Sequence, residues 1–120
     1  MGEKSSIFFI KTVDTIFGYD NMNHEQRRER DMAAASFKVY QDPGHGWIAV
    51  RIKVLAMLNL TPSDFSQYSY IKGNTVYLEE DDDASKFFKV WTEKFGKEPS
   101  LIYKSTNKSS PIRSYPRIKV

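Results

Sequence analysis

The chain has 120 residues, 40% hydrophobic and 14% aromatic, and eighteen Lys and Arg against fifteen Asp and Glu give a net charge of +3. That composition supplies one hydrophobic core and excludes a globally disordered chain, while the length leaves no room for a second core. The absence of cysteine excludes a disulfide scaffold, a thiolate metal site and a cysteine nucleophile.

No apolar run approaches the ~18 residues of a membrane span. Residues 7–10 are too short for the apolar core of a secretory signal, and Lys11 follows them. A cytoplasmic protein without a membrane partner is expected. Charge is unevenly spread: five of the fifteen acids fall in residues 79–83, whereas residues 99–120 hold Lys104, Lys108, Arg113, Arg117 and Lys119 and no acid. An acidic knot opposite a basic tail can steer a polyanion or simply keep a surface soluble.

In chain order, Ser5 or Ser6 can cap a helix over residues 7–17 with Ile10, Val13 and Phe17 on one stripe, and Gly18 ends it. So short a helix must dock on something to persist in water. Residues 20–31 are polar and read as a linker or a frayed helix. Residues 27–32 are encodable by a purine-rich stretch of the kind that precedes a bacterial start codon, and Met32 followed by three alanines reads as a fresh N-terminus. Two readings of residues 1–31 stand side by side: part of the working protein, or a translated leader before a natural start at Met32. Residues 1–35 form an N-terminal helix and linker, and residues 36–120 a single domain.

Residues 37–41 and 47–51 read as strands joined by Asp42-Pro43-Gly44-His45-Gly46. Pro then Gly at the centre favours a type II turn, with Asp42 bonding its own backbone two residues on. A short helix is expected over 52–59 with Ile52, Leu55, Ala56 and Leu60 inward. Thr61-Pro62 then reads as a cap followed by Pro at the first position of a single turn.

Gly73-Asn74 can supply the two positive-φ positions of a two-residue hairpin. That turn sets Lys72 opposite Thr75, Ile71 opposite Val76, Tyr70 opposite Tyr77, Ser69 opposite Leu78 and Tyr68 opposite Glu79. One face carries Ile71, Val76, Leu78 and Ser69 and belongs to the core. The other carries Tyr68, Tyr70, Tyr77 and Lys72, to be covered by the N-terminal segment or left to solvent or a partner. Residues 79–83 read as the N-terminal cap of a helix over 84–95 with a solvated overhang. Carboxylates so close in sequence cannot all face one metal ion. Phe88, Trp91 and Phe95, flanked by Phe87 and Val90, mark the inner face of that helix, and Gly96 its C-cap.

Residues 101–104 read as a fifth strand. Pro111 and Pro116 confine residues 111–120 to an edge strand or an extended tail. The order ββ–α–ββ–α–β predicts an α+β domain: a small, mostly antiparallel sheet with two helices on one face and a loosely attached N-terminal helix.

Three segments together, Asp42 to Trp47 (DPGHGW), Tyr68 to Asp81 (YSYxxGxxVYLEED) and Ile112 to Tyr115 (IRSY), resemble a group of small uncharacterised bacterial, plasmid and phage proteins. The resemblance spans about residues 37–118 and implies no activity. Members of the group often carry a cysteine soon after the acidic stretch, where this chain has Asp82-Asp83. No cysteine-based role carries over.

His45, between two glycines, is the sharpest single residue. Glycines admit close approach, and imidazole exchanges a proton near neutrality. A general base needs a partner that the sequence does not name. The chain has no phosphate-binding glycine loop, no nucleophile elbow and no zinc-type His pair, so neither a catalytic residue nor a cofactor is expected. The Tyr face with Lys72, Arg113, Tyr115 and Arg117 fits two kinds of partner. Aromatics and cations stack and track single-stranded nucleic acid, and Tyr and Arg also dominate protein–protein hot spots. The acidic run would repel a phosphate backbone. The expectation is an accessory protein of phage or mobile-element type docking on a host protein through Asp42, Gly44, His45, Trp47, Tyr68, Tyr70, Lys72, Arg113, Tyr115 and Arg117. A sequence-tolerant nucleic-acid binder is the alternative, and an enzyme using His45 the third reading.

Overall fold

Residues 23–119 are described by a computed structural model. The helix expected over 7–17 lies outside the described residues. Helix α1 (His24–Ala33) occupies the segment read as a linker or a frayed helix. Its start carries a reciprocal cap: Gln26 N–H donates to Asn23 Oδ1 at 2.7 Å, and Asn23 N–H to Gln26 Oε1 at 3.0 Å. That Asn-x-x-Gln signature satisfies two otherwise orphaned donors. Met32 and Ala35, at the far end, pack against the core.

Strand β1 (Ser36–Gln41) runs antiparallel to β2 (Gly46–Arg51), and α2 (Ile52–Met57) follows directly. Alternation fixes the faces of β1: Phe37 and Val39 are buried, while Lys38 is exposed. In α2 Val54 and Leu55 are buried, as is Leu58 just past its end; Ile52 and Leu60 pack against the core as expected, whereas Ala56 faces out. The helix ends in a left-handed Asn59 (φ 61°), with Leu60 N–H reaching Leu55 O and Asn59 N–H reaching Ala56 O. These are the two bonds of a Schellman ending. A 3-10 turn at Pro62–Asp64 follows, where the Asp64 carboxylate accepts Thr61 N–H at 2.8 Å and is thereby held below the ordinary carboxylate range.

The central hairpin, β3 (Tyr70–Lys72) and β4 (Thr75–Glu79), pairs Tyr70 with Tyr77, Ile71 with Val76 and Lys72 with Thr75. Only Gly73 (φ 61°) takes positive φ in its turn, so the geometry is of the II′ rather than the I′ class. Helix α3 (Asp83–Phe95) ends at Gly96 in the left-handed region (φ 78°), and β5 (Ser100–Ser105) closes the order.

The five strands lie in the order β3-β4-β2-β1-β5, antiparallel except for β1 against β5. The fold is α+β. Helices α2 and α3 bury their apolar sides on the sheet face that carries Phe37, Val39, Ile48, Val50, Val76 and Leu78. The inner line of α3 is Ala84, Phe87, Trp91 and Phe95, and Phe88 is only half-buried beside it. Phe37 meets Phe87 and Trp91 edge-on at 5.3 and 5.0 Å between centroids, an arrangement favoured by the ring quadrupoles.

The opposite face is not left to solvent, nor covered by the N-terminus among the described residues. The C-terminal segment crosses it. A 3-10 turn (Pro111–Ser114) sets Ile112 beside Trp47 and Tyr70, with Tyr40, Tyr77 and Tyr115 around this second cluster. Beyond Pro116 the segment pairs with the outer edge of β3: Ile71 N–H donates to Pro116 O at 2.8 Å and Ile118 N–H to Ser69 O at 3.0 Å. The edge or tail expected of residues 111–120 is thus a strap in two parts. No helix among the described residues is long and apolar enough to cross a membrane.

Candidate functional site

Asp42 fastens that strap. Its side chain is fully buried, yet it accepts from every direction. Oδ1 takes Gly44 and His45 N–H, both at 3.0 Å, and Oδ2 takes Ser110 N–H at 2.9 Å. Arg113 completes the set side-on, Nε to Oδ2 at 2.6 Å and Nη2 to Oδ1 at 2.8 Å. Only a guanidinium offers two donors at that fixed spacing. The Arg113 pair, then the Ser110 N–H, holds the Asp42 carboxyl well below the usual range, and Asp42 in turn raises Arg113.

The loop differs from the expected type II turn because Gly44 does not take positive φ; the Asp42 carboxylate shapes it instead. Its glycines serve close approach within the chain itself. A Cβ on Gly44 would stand 2.8 Å from Arg113 Nη2, and one on Gly46 2.7 Å from Glu80 Oε1. Glu80 is exposed and free to swing away, whereas Arg113 is pinned by Asp42. Gly46→Ala is therefore expected to fold nearly as the parent. Gly44→Ala should lower the urea midpoint by an amount approaching that of Arg113→Ala. Equal midpoints for the two glycine variants would contradict this account.

Beside the fastener lies a cleft of about 360 Å³ lined by His45, Trp47, Tyr68, Tyr70, Arg113 and Arg117 together with the acids Glu79, Asp81 and Asp82. Its floor is aromatic but already covered. The Arg113 guanidinium lies 5.4 Å from the Trp47 ring and that of Arg117 5.0 Å from the Tyr70 ring. Trp47 is 2% exposed and Tyr70 7%, whereas Tyr68 is 57% exposed at the rim. Arg117 Nη1 donates to Gln67 O at 2.9 Å.

The acidic run divides by role. Asp83 is buried, its Oδ2 accepting Ser66 N–H, Ser66 Oγ–H and the Oγ–H of buried Ser69, which ties α3 to the approach of β3. Glu79 accepts the N–H groups of Asp81 and Asp82 at 2.9 and 3.2 Å, so the cap precedes the helix, and Asp82 itself makes no side-chain cap. Asp81 and Asp82 are left facing the cleft. No group of three or more His, Asp or Glu among the described residues is placed to hold a metal ion.

Most of the residues singled out in the sequence therefore meet in one place: His45, Trp47, Tyr68, Tyr70, Arg113 and Arg117 line the cleft, and Asp42 holds Arg113 and the Gly44 N–H beside it. Lys72 and Tyr115 do not. The Lys72 ammonium sits 4.6 Å from the Tyr115 ring, and Tyr115 faces a second hollow of about 310 Å³ with Tyr40, Tyr77 and Lys104. Burial, then the neighbouring Tyr115 and Tyr40, raises the Tyr77 hydroxyl in that hollow. Sequence reasoning missed Glu79, Asp81 and Asp82 as cleft residues, although the hairpin register already placed Glu79 opposite Tyr68. The His45 ring, 6.0 Å from that of Trp47, makes no hydrogen bond to another described residue. The nearby Glu79 carboxylate is engaged with backbone N–H groups.

Comparison with protein-family models, with curated proteins and with solved structures finds no match for this chain.

Proposed function

We propose that the chain is a small accessory binding protein that docks on a partner protein through the cleft between the Asp42 loop, the acidic turn after β4 and the C-terminal strap. One observation carries this reading: the cations Arg113 and Arg117 line the same cleft as the acids Glu79, Asp81 and Asp82. A surface of both signs complements a protein surface, where opposed charges set register and reject wrong partners. A polyphosphate backbone would meet repulsion there from Glu79, Asp81 and Asp82. Stacking of bases there is confined to Tyr68 at the rim, because Trp47 and Tyr70 lie beneath the chain's own arginines. The resemblance to bacterial, plasmid and phage proteins supports a host protein as the partner and a mobile element as the setting.

The test pairs two measurements. A fluorescent single-stranded oligonucleotide is titrated with the protein at low and moderate salt, and tagged protein is used to capture partners from bacterial lysate after nuclease treatment. Stoichiometric capture that survives nuclease, with weak oligonucleotide binding, is the expected result. Tight oligonucleotide binding that falls steeply with salt, together with loss of all captured material after nuclease, would overturn it in favour of nucleic acid.

A further inference from the structure

The two edges of the sheet are treated differently. The outer side of β3 is paired by residues 116–118, whereas no described residue pairs with the outer side of β5. Of the large hydrophobic residues that are exposed, two lie on this strand: Ile102 at 45% and Tyr103 at 60%. An unpaired edge bearing apolar side chains is a template for another strand.

The register identifies the groups it offers. Thr106 N–H donates to Gln41 O at 2.9 Å, and Gln41 pairs with Ser105 in the parallel ladder. Even-numbered residues of β5 therefore turn their backbone groups toward β1. Leu101, Tyr103 and Ser105 turn theirs outward. In the ladder Tyr103 shares a side with Val39, on the helix-bearing face, and Ile102 with Lys38 on the other.

We infer that β5 is a self-pairing edge, joining two copies of the chain into one continuous sheet by antiparallel addition centred on Tyr103. With the two-fold axis at that residue, Tyr103 exchanges both backbone bonds with its mate, and Leu101 does so with Ser105 of the second copy. Every outward N–H and C=O of those three residues then finds a partner. No other register centred on this strand uses all of them. The charges agree: Lys104 lies opposite Ile102 of the second copy and not opposite another Lys104, so no like charges face each other along the strand. At the strand ends, the same symmetry brings exposed Glu98, before β5, toward exposed Lys108, after it, of the other copy. Two Tyr103 rings meet as a cross-strand aromatic pair, and Ile102 covers the Lys104 stem. This contact is an isologous two-fold interface. It is separate from the cleft, so its failure leaves the docking reading standing.

The absence of cysteine makes the test direct. Directly hydrogen-bonded antiparallel residues have Cα atoms about 5.5 Å apart, within disulfide range. Full-length Tyr103→Cys under mild oxidation should become a covalent dimer, while Lys104→Cys, whose mates are offset along the strand, should not. In sedimentation, the parent chain should show a concentration-dependent dimer. Ile102→Lys, which sets a lysine opposite each Lys104, should weaken that dimer about tenfold while leaving the circular dichroism unchanged. A parent chain that stays monomeric at all concentrations would overturn the inference. So would cross-linking of Lys104→Cys as complete as that of Tyr103→Cys.

Discussion

Replacing Asp42 with asparagine is expected to release the C-terminal strap and lower the thermal midpoint by on the order of 10 °C. The carboxylate is buried and is the shared acceptor for Gly44, His45, Ser110 and Arg113. An amide keeps one acceptor oxygen and turns two donors toward groups that are themselves donors. Arg113→Ala should be nearly as harmful despite the partial exposure of Arg113, because it leaves a buried carboxylate without its counter-ion. The double variant should cost clearly less than the two singles together, since they remove one interaction. Loss of the strap should also wet Trp47, so fluorescence should shift to longer wavelength before the rest of the chain unfolds. The pH dependence has a definite sign. The folded carboxyl titrates well below its unfolded value near 4, so its stabilisation is complete above about pH 5 and is lost progressively as pH falls toward the folded value. Urea midpoints from pH 6 to pH 2 should therefore fall more steeply for the parent than for Asp42→Asn.

Phe87→Ala should destabilise the fold by about 3–5 kcal/mol. Phe87 is fully buried at the centre of α3, with Phe37 edge-on at 5.3 Å and Trp91 at 5.9 Å, so removing it opens a cavity walled by rigid rings that cannot collapse into it. Trp91→Ala belongs to the same class. Trp91→Phe should be far milder, because the indole N–H is buried with no hydrogen-bond partner among the described residues and its removal ends that desolvation penalty. Urea unfolding monitored by far-ultraviolet circular dichroism measures all three. A Phe87→Ala cost below about 1 kcal/mol would mean that α3 does not close the core as described.

Periodicity and turn chemistry made the sheet legible. The register of the central hairpin follows from Gly73-Asn74 alone, and all three observed pairs agree with it. Gly96 and the aromatic spacing of α3 likewise announce a helix and its end. Three features were hidden for physical reasons. The cap of α1 uses Asn and Gln rather than the commoner Ser or Thr with Glu, in a polar segment that reads as a linker or a frayed helix although Met32 and Ala35 pack against the core. At α2, Ile52, Leu55 and Leu60 pack against the core as the stripe predicts, whereas Ala56 faces out and Val54 in, because six residues give too short a repeat to separate those two. The strap is a long-range event: Asp42 and Arg113 lie 71 residues apart, and nothing local to either names the other. Two parts of the cleft were visible separately, in the Asp-Pro-Gly-His-Gly loop and in the Arg-bearing tail. What joins them is tertiary.

The most direct test of the cleft as the docking surface is capture of partner protein by Asp82→Lys beside the parent and a Lys53→Glu control on α2. Asp82 is exposed and makes no side-chain cap, so reversing its charge alters one wall of the cleft without removing a hydrogen bond from the fold. Lys53 is exposed and does not line the cleft. Asp82→Lys is expected to lose the captured protein while its unfolding midpoint stays near that of the parent, and Lys53→Glu to retain it. Undiminished capture by Asp82→Lys would place the docking surface elsewhere on the molecule.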